Sequence, residues 1–213
     1  MIYVHFFTFS PIQENTYVLW NEKNEALIID PGNYFTAENE TLKNFISQKA
    51  LKPVQLLNTH CHLDHVFGNK FVAETYKLEL FIHPLEEKLL EYAPASALQF
   101  GLGFTNYKGS LHFLNEGEKI KLGDDELKII HAPGHSPGSV CFYCEAQHFL
   151  IGGDVLFYES IGRTDLPGGN HEQLLRSIRE KIFILPDKTI VYPGHGPETK
   201  IVHEKMYNPF IAI

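Results

Sequence analysis

The run Thr59-His60-Cys61-His62-Leu63-Asp64-His65 sets three imidazoles and a carboxylate within six residues. Buried side by side in a core, each of these polar groups would need its own partner. A divalent cation satisfies several at once, because neutral imidazole and carboxylate are standard ligands of zinc and its neighbours. The spacing is too dense for one helix face. It suits a loop wrapped around two ions, with His60 and His62 turned to one and Asp64 and His65 to the other.

Three later segments repeat the theme: Pro133-Gly134-His135-Ser136-Pro137-Gly138, Gly152-Gly153-Asp154 and Pro193-Gly194-His195-Gly196. Each places one His or Asp among Gly and Pro, just after an apolar run. That is the pattern of a ligand on a loop at the end of a buried strand. The candidate ligands are then His60, His62, Asp64, His65, His135, Asp154 and His195. They exceed what one tetrahedral ion needs. They fit two ions with one shared carboxylate and a position open to water.

The elements that carry these loops alternate between strand and helix patterns. Residues 16–20 and 26–30 read as a hairpin around Asn21-Glu22-Lys23-Asn24, followed by the turn signal Asp30-Pro31-Gly32. Residues 37–50 suit a helix with Leu42, Phe45, Ile46 and Ala50 on one face. Val54–Leu57 is a short buried strand that delivers Thr59 and His60, and His65–Tyr76 reads as one helix opened by the ligand loop. Strands at 126–131 and 148–152 lead to His135 and Asp154. Asn170 caps a helix to about Ile182, Thr189–Tyr192 is the strand before His195, and a short helix begins near Thr199. Interleaved strands and helices give an α/β chain.

A chain of 213 residues with a formal charge of −8 shows no basic stripe, which argues against nucleic acid. Three cysteines and no secretory leader point to a reducing cytoplasm. No stretch approaches the length of a membrane span. Cys141-Phe142-Tyr143-Cys144 spells C-x-x-C, but within a strand residues three apart point to opposite faces, so we read it as strand. The expected partner is a small molecule, with neither nucleic acid nor membrane.

In its order H-x-H-x-D-H, then His, then Asp, then His, the chain resembles the metallo-β-lactamase-fold hydrolases. The resemblance covers nearly the whole length and runs to the short glyoxalase II-like (hydroxyacylglutathione hydrolase-like) members. It includes Gly152-Gly153-Asp154-Val155-Leu156-Phe157 and Ser160-Ile161-Gly162-Arg163-Thr164-Asp165-Leu166-Pro167-Gly168-Gly169. It implies a single αββα sandwich domain without the C-terminal helical domain that binds glutathione in larger glyoxalase II enzymes. It implies that His60, His62 and His135 hold one metal, that Asp64, His65 and His195 hold the other, and that Asp154 bridges. Cys61, between two ligands, becomes a small filler.

That ligand set implies two divalent ions, zinc first, with iron and manganese also accepted. A metal-bound hydroxide, aimed by Asp64, would attack a thioester such as S-lactoylglutathione. The thiol, with a pKa near ~8.5, leaves without a strong general acid. Arg163 is read either as a fork for a substrate carboxylate or as an Arg163–Asp165 brace. Tyr158 either lines the cleft or packs. His5, His83, His112, His131, His148, His171 and His203 lack a partnered motif and are read as structural. Residues 93–108, rich in Gly, Ala and aromatics, suit a flap or the apolar face of a homodimer.

Two rival readings share the fold. Persulfide dioxygenases carry a similar Gly-Arg-Thr-Asp segment and use one iron at positions matching His60, His135 and Asp154. The best-known zinc β-lactamases place Cys where Asp154 stands, which sets this chain apart from them.

Overall fold

The computed structural model describes residues 1–211. The chain forms two compact units. One is Met1–Leu114 with Lys121–Asp125, and the other is Asn115–Ile120 with Glu126 onward.

The first unit is built on a six-stranded sheet in simple sequence order, β1 (Tyr3–Phe9), β2 (Glu14–Trp20), β3 (Glu25–Ile29), β4 (Lys52–Leu57), β5 (Leu80–Ile82) and β6 (Leu111–Phe113). The first three strands run antiparallel, and β2–β3 is the expected hairpin. From β3 onward the pairing is parallel. Parallel neighbours need a crossover, and helices supply it: α1 (Thr36–Gln48), then α2 (Leu63–Val66) and α3 (Asn69–Tyr76), then α4 (Glu87–Gln99). Leu42 and Ile46 of α1, Val72 and Ala73 of α3, and Leu90, Ala93 and Ala97 of α4 bury against Val18, Ile28, Leu56, Leu80 and Ile82 of the sheet.

Two helix expectations need correction here. Ala50 lies beyond α1, exposed and left-handed at φ 52°. The helix closes with Leu51 N–H donating to Ile46 O (2.9 Å) and Ala50 N–H to Ser47 O (3.0 Å), the paired bonds of a Schellman cap. The second correction concerns His65–Tyr76, which breaks into α2 and α3 at Phe67-Gly68. Gly68 N–H is drawn to Pro31 O at 2.6 Å, and a Cβ there would run into the Asn33 side chain. Tertiary contact with the Asp30-Pro31-Gly32 loop overrides local helical preference.

The segment 93–108 is half helix and half loop. Pro94 lies inside α4 and cannot donate to Leu90 O. Asn106 Nδ2 donates to that carbonyl instead (2.6 Å), which ties the following loop back to the helix. Leu102 and Phe104 pack on the core, while Leu98 and Phe100 stay exposed.

The second sheet runs in the order β14-β13-β10-β9-β8-β7 and belongs to the second unit apart from Lys121–Asp125. Its strands are β7 (Lys119–Leu122), β8 (Asp125–His131), β9 (Val140–Cys144), β10 (Phe149–Gly153), β13 (Ile190–Pro193) and β14 (Thr199–Lys200). Between them sit a small hairpin, β11 (Leu156–Phe157) and β12 (Ser160–Ile161), and the helices α5 (His171–Ser177) and α6 (Ile201–Tyr207). β9 and β10 are buried throughout, as continuous apolar runs require of central strands. Cys141 and Cys144 are therefore strand residues, both buried and neither in a disulfide. Asn170 caps α5 as expected, its Oδ1 accepting from Gln173 N–H at 3.0 Å. Residues Ile178–Ile182 then wind as a π-turn rather than continuing the α-helix, and the turn closes with Phe183 N–H to Ile178 O. Among the described residues, no helix is long and apolar enough to cross a membrane.

Candidate metal centre

Strand direction brings the first ligands out at one edge of the first unit. β3 and β4 are parallel with Ile29 opposite Leu57, so Asp30 and Asn58 leave their strands side by side. Asp30 N–H donates to Leu57 O at 2.9 Å, and its φ of 50° turns the chain sharply. Its carboxylate is then enclosed by four donors. Oδ1 accepts from Thr59 N–H (2.7 Å) and Asn58 Nδ2 (3.3 Å), and Oδ2 accepts from Thr59 Oγ1 (2.5 Å) and His65 Nδ1 (3.1 Å). Asp30, His60 and His65 offer atoms within 4.8 Å of one another. With its lone pairs engaged, however, Asp30 orients ligands rather than joining them.

The same network sets the tautomers. Thr59 gives its hydroxyl proton to Asp30, so its oxygen accepts from His60 Nδ1–H at 3.1 Å. His65 Nδ1–H donates to Asp30. Both rings thus keep the Nε2 lone pair for a cation, the usual arrangement of a metal-binding histidine. The His60 ring lies 4.8 Å from that of His62 and 4.1 Å from that of His65. Asn58 stitches the loop from its other side, donating to His65 O (2.9 Å) and accepting from Asn69 Nδ2 (2.7 Å). Glu14 is fully buried alongside, accepting from Thr16 Oγ1 at 2.8 Å, and burial pushes its carboxyl well above the usual range.

In the second unit the same logic gathers the other three ligands. β10 and β13 are parallel with Gly153 opposite Pro193, so Asp154 and His195 emerge at one edge. Gly194 N–H donates to Gly153 O at 2.8 Å. β8 is antiparallel to β9, and β9 to β10, so β8 delivers His135 to that same edge. His135 Nδ1–H donates to Arg163 O at 2.7 Å, which again leaves Nε2 for a cation.

Spacing completes the fit. His135 Nε2 and His195 Nε2 stand 3.5 and 3.7 Å from the same oxygen, Asp154 Oδ2. In the first unit His65 Nε2 stands 3.7 Å from Asp64 Oδ2. These separations are long for hydrogen bonds. Two ligands of one tetrahedral ion, each about 2.0–2.1 Å from it, lie about 3.4 Å apart. Neutral imidazoles and carboxylates at that spacing, with the outer nitrogens of His60, His65 and His135 tied to protein acceptors, fit divalent metal ions.

Gly134 shows how tightly the His135 loop is held. Its φ of 135° belongs to glycine, and a Cβ would collide with the backbone of Leu174. Asn170 N–H donates to Gly134 O at 2.7 Å. Gly134→Ala is expected to cost about 3 kcal/mol of stability, read from urea unfolding of the metal-free protein. A change under about 0.5 kcal/mol would show that the loop is not clamped.

The remaining singled-out residues take definite positions. Cys61 is buried in the first unit's core, and burial pushes its thiol well above the normal range, as suits a filler. Arg163 is exposed and forms a bidentate pair with Asp165, Nε and Nη2 each 2.7 Å from a carboxylate oxygen. The guanidinium holds the Asp165 carboxyl down to about 2. Tyr158 is half-exposed and stacks on His203 at 4.9 Å. His203 also meets Glu159 (3.0 Å), His5 stacks on Phe45 (4.4 Å), and His83 caps the turn at Pro84. His112 pairs with Glu79, and His131 meets Pro137 O (3.0 Å).

Asp30 was missed as a functional residue, since Asp30-Pro31-Gly32 reads only as a turn. The available signal was a carboxylate following the apolar run 26–29, the same pattern that marked Asp154. Asn58 carried no such signal.

With this geometry in hand, the Metallo-beta-lactamase superfamily pattern matches residues 10–195 and runs through both units, and the chain belongs to that family. Its fold is the mixed α/β metallo-β-lactamase fold. Some of its relatives are hydrolases by name. The probable metallo-hydrolase YqgX of Bacillus subtilis (strain 168) is 39% identical over 94% of this chain and 93% of its own. The hydroxyacylglutathione hydrolase GloC of Haemophilus influenzae is 38% identical, covering 93% of each. Among solved structures, the BLEG-1 B3 metallo-β-lactamase superposes with a TM-score of 0.91 at 40% identity over 100% of both chains. TTHA1623 in a di-iron-bound form gives a TM-score of 0.89 at 36% identity, covering 97% of this chain and 100% of that one.

Proposed function

We propose that the protein is a dinuclear metal-dependent hydrolase that cleaves a thioester of the S-lactoylglutathione type. In this reading His60, His62 and His135 would hold one ion, Asp64, His65 and His195 would hold the other, and Asp154 would serve both. The observation that carries it is the ligand spacing around Asp154 Oδ2, joined to the Nδ1 atoms of His60, His65 and His135, each committed to a protein acceptor. The GloC relative supports the thioester. Zinc is proposed first, and the di-iron form of TTHA1623 makes iron the next candidate.

When bound, the metals supply Lewis acidity and bring the pKa of a coordinated water towards ~7. Asp64 accepts a hydrogen bond from the attacking water at its carboxylate and aims it. The departing thiol, with a pKa near ~8.5, leaves without a dedicated acid. The substrate in this reading is a small molecule, and the proposed setting is the cytoplasm, with neither nucleic acid nor membrane as a partner. A homodimer built on the apolar part of residues 93–108 is compatible with it.

Arg163 and Tyr158 are proposed to meet the thiol arm of the substrate. The Arg163 fork now grips Asp165, so a substrate carboxylate would exchange for that partner. Arg163→Ala is expected to raise KM for S-lactoylglutathione about tenfold with kcat little changed. A lowered melting temperature with KM unchanged would make the pair a brace.

One observation favours a second reading. The BLEG-1 neighbour is a β-lactamase by name and matches the full chain. The persulfide dioxygenase reading has the sequence segment in its favour and predicts a single iron. The test assays one purified sample with S-lactoylglutathione, with a chromogenic cephalosporin, and with glutathione persulfide in an oxygen electrode. Thioester turnover far above the other two supports the proposal. Dominant cephalosporin cleavage or oxygen uptake replaces it.

A further inference from the structure

We propose that Glu86 is a positioning residue for the His60-Cys61-His62 pair. Its carboxylate fixes the peptide between the two imidazoles and so sets the angle at which both present their nitrogens. Glu86 is fully buried, and its Oε2 accepts from Cys61 N–H at 2.7 Å. Cys61 is itself 1% exposed, so this amide has no route to solvent.

The fold delivers the carboxylate to this point deliberately. β5 runs parallel to β4, with Leu57 opposite Phe81, and Asn58 N–H donates to Phe81 O at 3.0 Å. The turn Pro84–Glu86 after β5 therefore lies beside the loop after β4. His83 caps that turn, accepting from Leu85 N–H at 3.2 Å, and Glu86 N–H closes it on His83 O at 2.9 Å. The turn is capped, and of its three residues Glu86 alone is buried, so its side chain is held inward with little freedom.

Burying a carboxylate costs several kcal/mol, and a well-packed apolar side chain of similar volume often stabilises a core as much or more. Core stability is therefore a poor reason to keep Glu86 where a leucine would pack. Its position fits the role of an outer partner that holds ligands in register. His60 is already fixed through its ring by Thr59 and Asp30. Glu86 adds a second anchor, on the backbone, at the point where the chain turns from one imidazole to the next.

The inference rests on His60 and His62 being metal ligands, and not on the identity of the substrate. The test compares Glu86→Gln, which keeps an acceptor oxygen and loses the charge, with Glu86→Asp, which keeps the charge and withdraws the acceptor by one methylene. Zinc affinity is read by chelator competition, and coordination geometry by the visible bands of the cobalt-substituted protein. Glu86→Asp should bind zinc about 10–100-fold more weakly and shift the cobalt bands. Glu86→Gln should stay within about fivefold of the unaltered protein. Equal affinity and spectra in all three proteins would overturn the proposal. A larger loss in Glu86→Gln than in Glu86→Asp would also overturn it, by making charge the determinant. Loss of zinc in Glu86→Asp, in a protein that fails to cleave thioesters, would leave this inference standing while the proposed substrate fell.

Discussion

The Asp154→Ala protein is expected to lose metal and hydrolytic turnover together. Two imidazole nitrogens face one oxygen of this carboxylate at 3.5 and 3.7 Å, so a single substitution removes the group that His135 and His195 share. kcat/KM for the best substrate should fall by about a thousandfold or more, which is ~4 kcal/mol of transition-state stabilisation. Bound metal, counted by mass spectrometry on the same sample, should fall with it. The fold should survive, because Asp154 sits on a loop after β10 and the strand below it is held by β9 and β13. Unchanged circular dichroism alongside the lost metal would confirm that the effect is local. Full retention of metal and turnover would remove Asp154 from the centre.

The second large effect is expected at Asp30. Alanine there strips the acceptor from four buried donors: Thr59 N–H, Thr59 Oγ1, Asn58 Nδ2 and His65 Nδ1. The metal-free protein should lose about 3–5 kcal/mol of stability, the range for breaking a buried charged network. Metal affinity should fall a further 10–100-fold, because His60 and His65 both take their tautomer and ring angle from this network. Urea unfolding without metal reads the first effect, and chelator competition reads the second. A stability loss with affinity intact would make Asp30 a purely structural residue, and its role in aiming the imidazoles would be withdrawn.

These two residues show what was legible in the chain and what was not. Asp154 announces itself, because an acid placed directly after an apolar run and two glycines has little structural business there. His135 and His195 share that signature, and His60, His62, Asp64 and His65 stand out by their density instead. In each unit the strand ends gather them as the pattern implied, since parallel strands put their C-terminal loops at one edge. Asp30 and Glu86 lie at equivalent strand ends, after β3 and β5, yet each is a single carboxylate in a turn. Their partners are backbone amides and imidazoles far along the chain, and those contacts exist only after the parallel register forms.

The helix boundaries failed for a related reason. Local periodicity carries one helix through Phe67-Gly68, but Pro31 O captures the Gly68 amide from outside the segment. Ala50 has the right spacing for the buried face of α1, yet the Schellman closure at Ile46 ends the helix first. Tyr158 and Arg163 stand out in the sequence by their place after Asp154. Their surroundings, a His203 ring and an Asp165 carboxylate, leave both reachable from solvent.

The central claim is that the seven ligands hold two metal ions. Metal per chain should be measured by plasma mass spectrometry after the purified protein is reconstituted with zinc and freed of excess. The account predicts about two ions per chain, with both lost on prolonged chelation and both restored on return of metal. A firm plateau at one ion per chain would contradict it, and would favour a mononuclear centre at His60, His135 and Asp154.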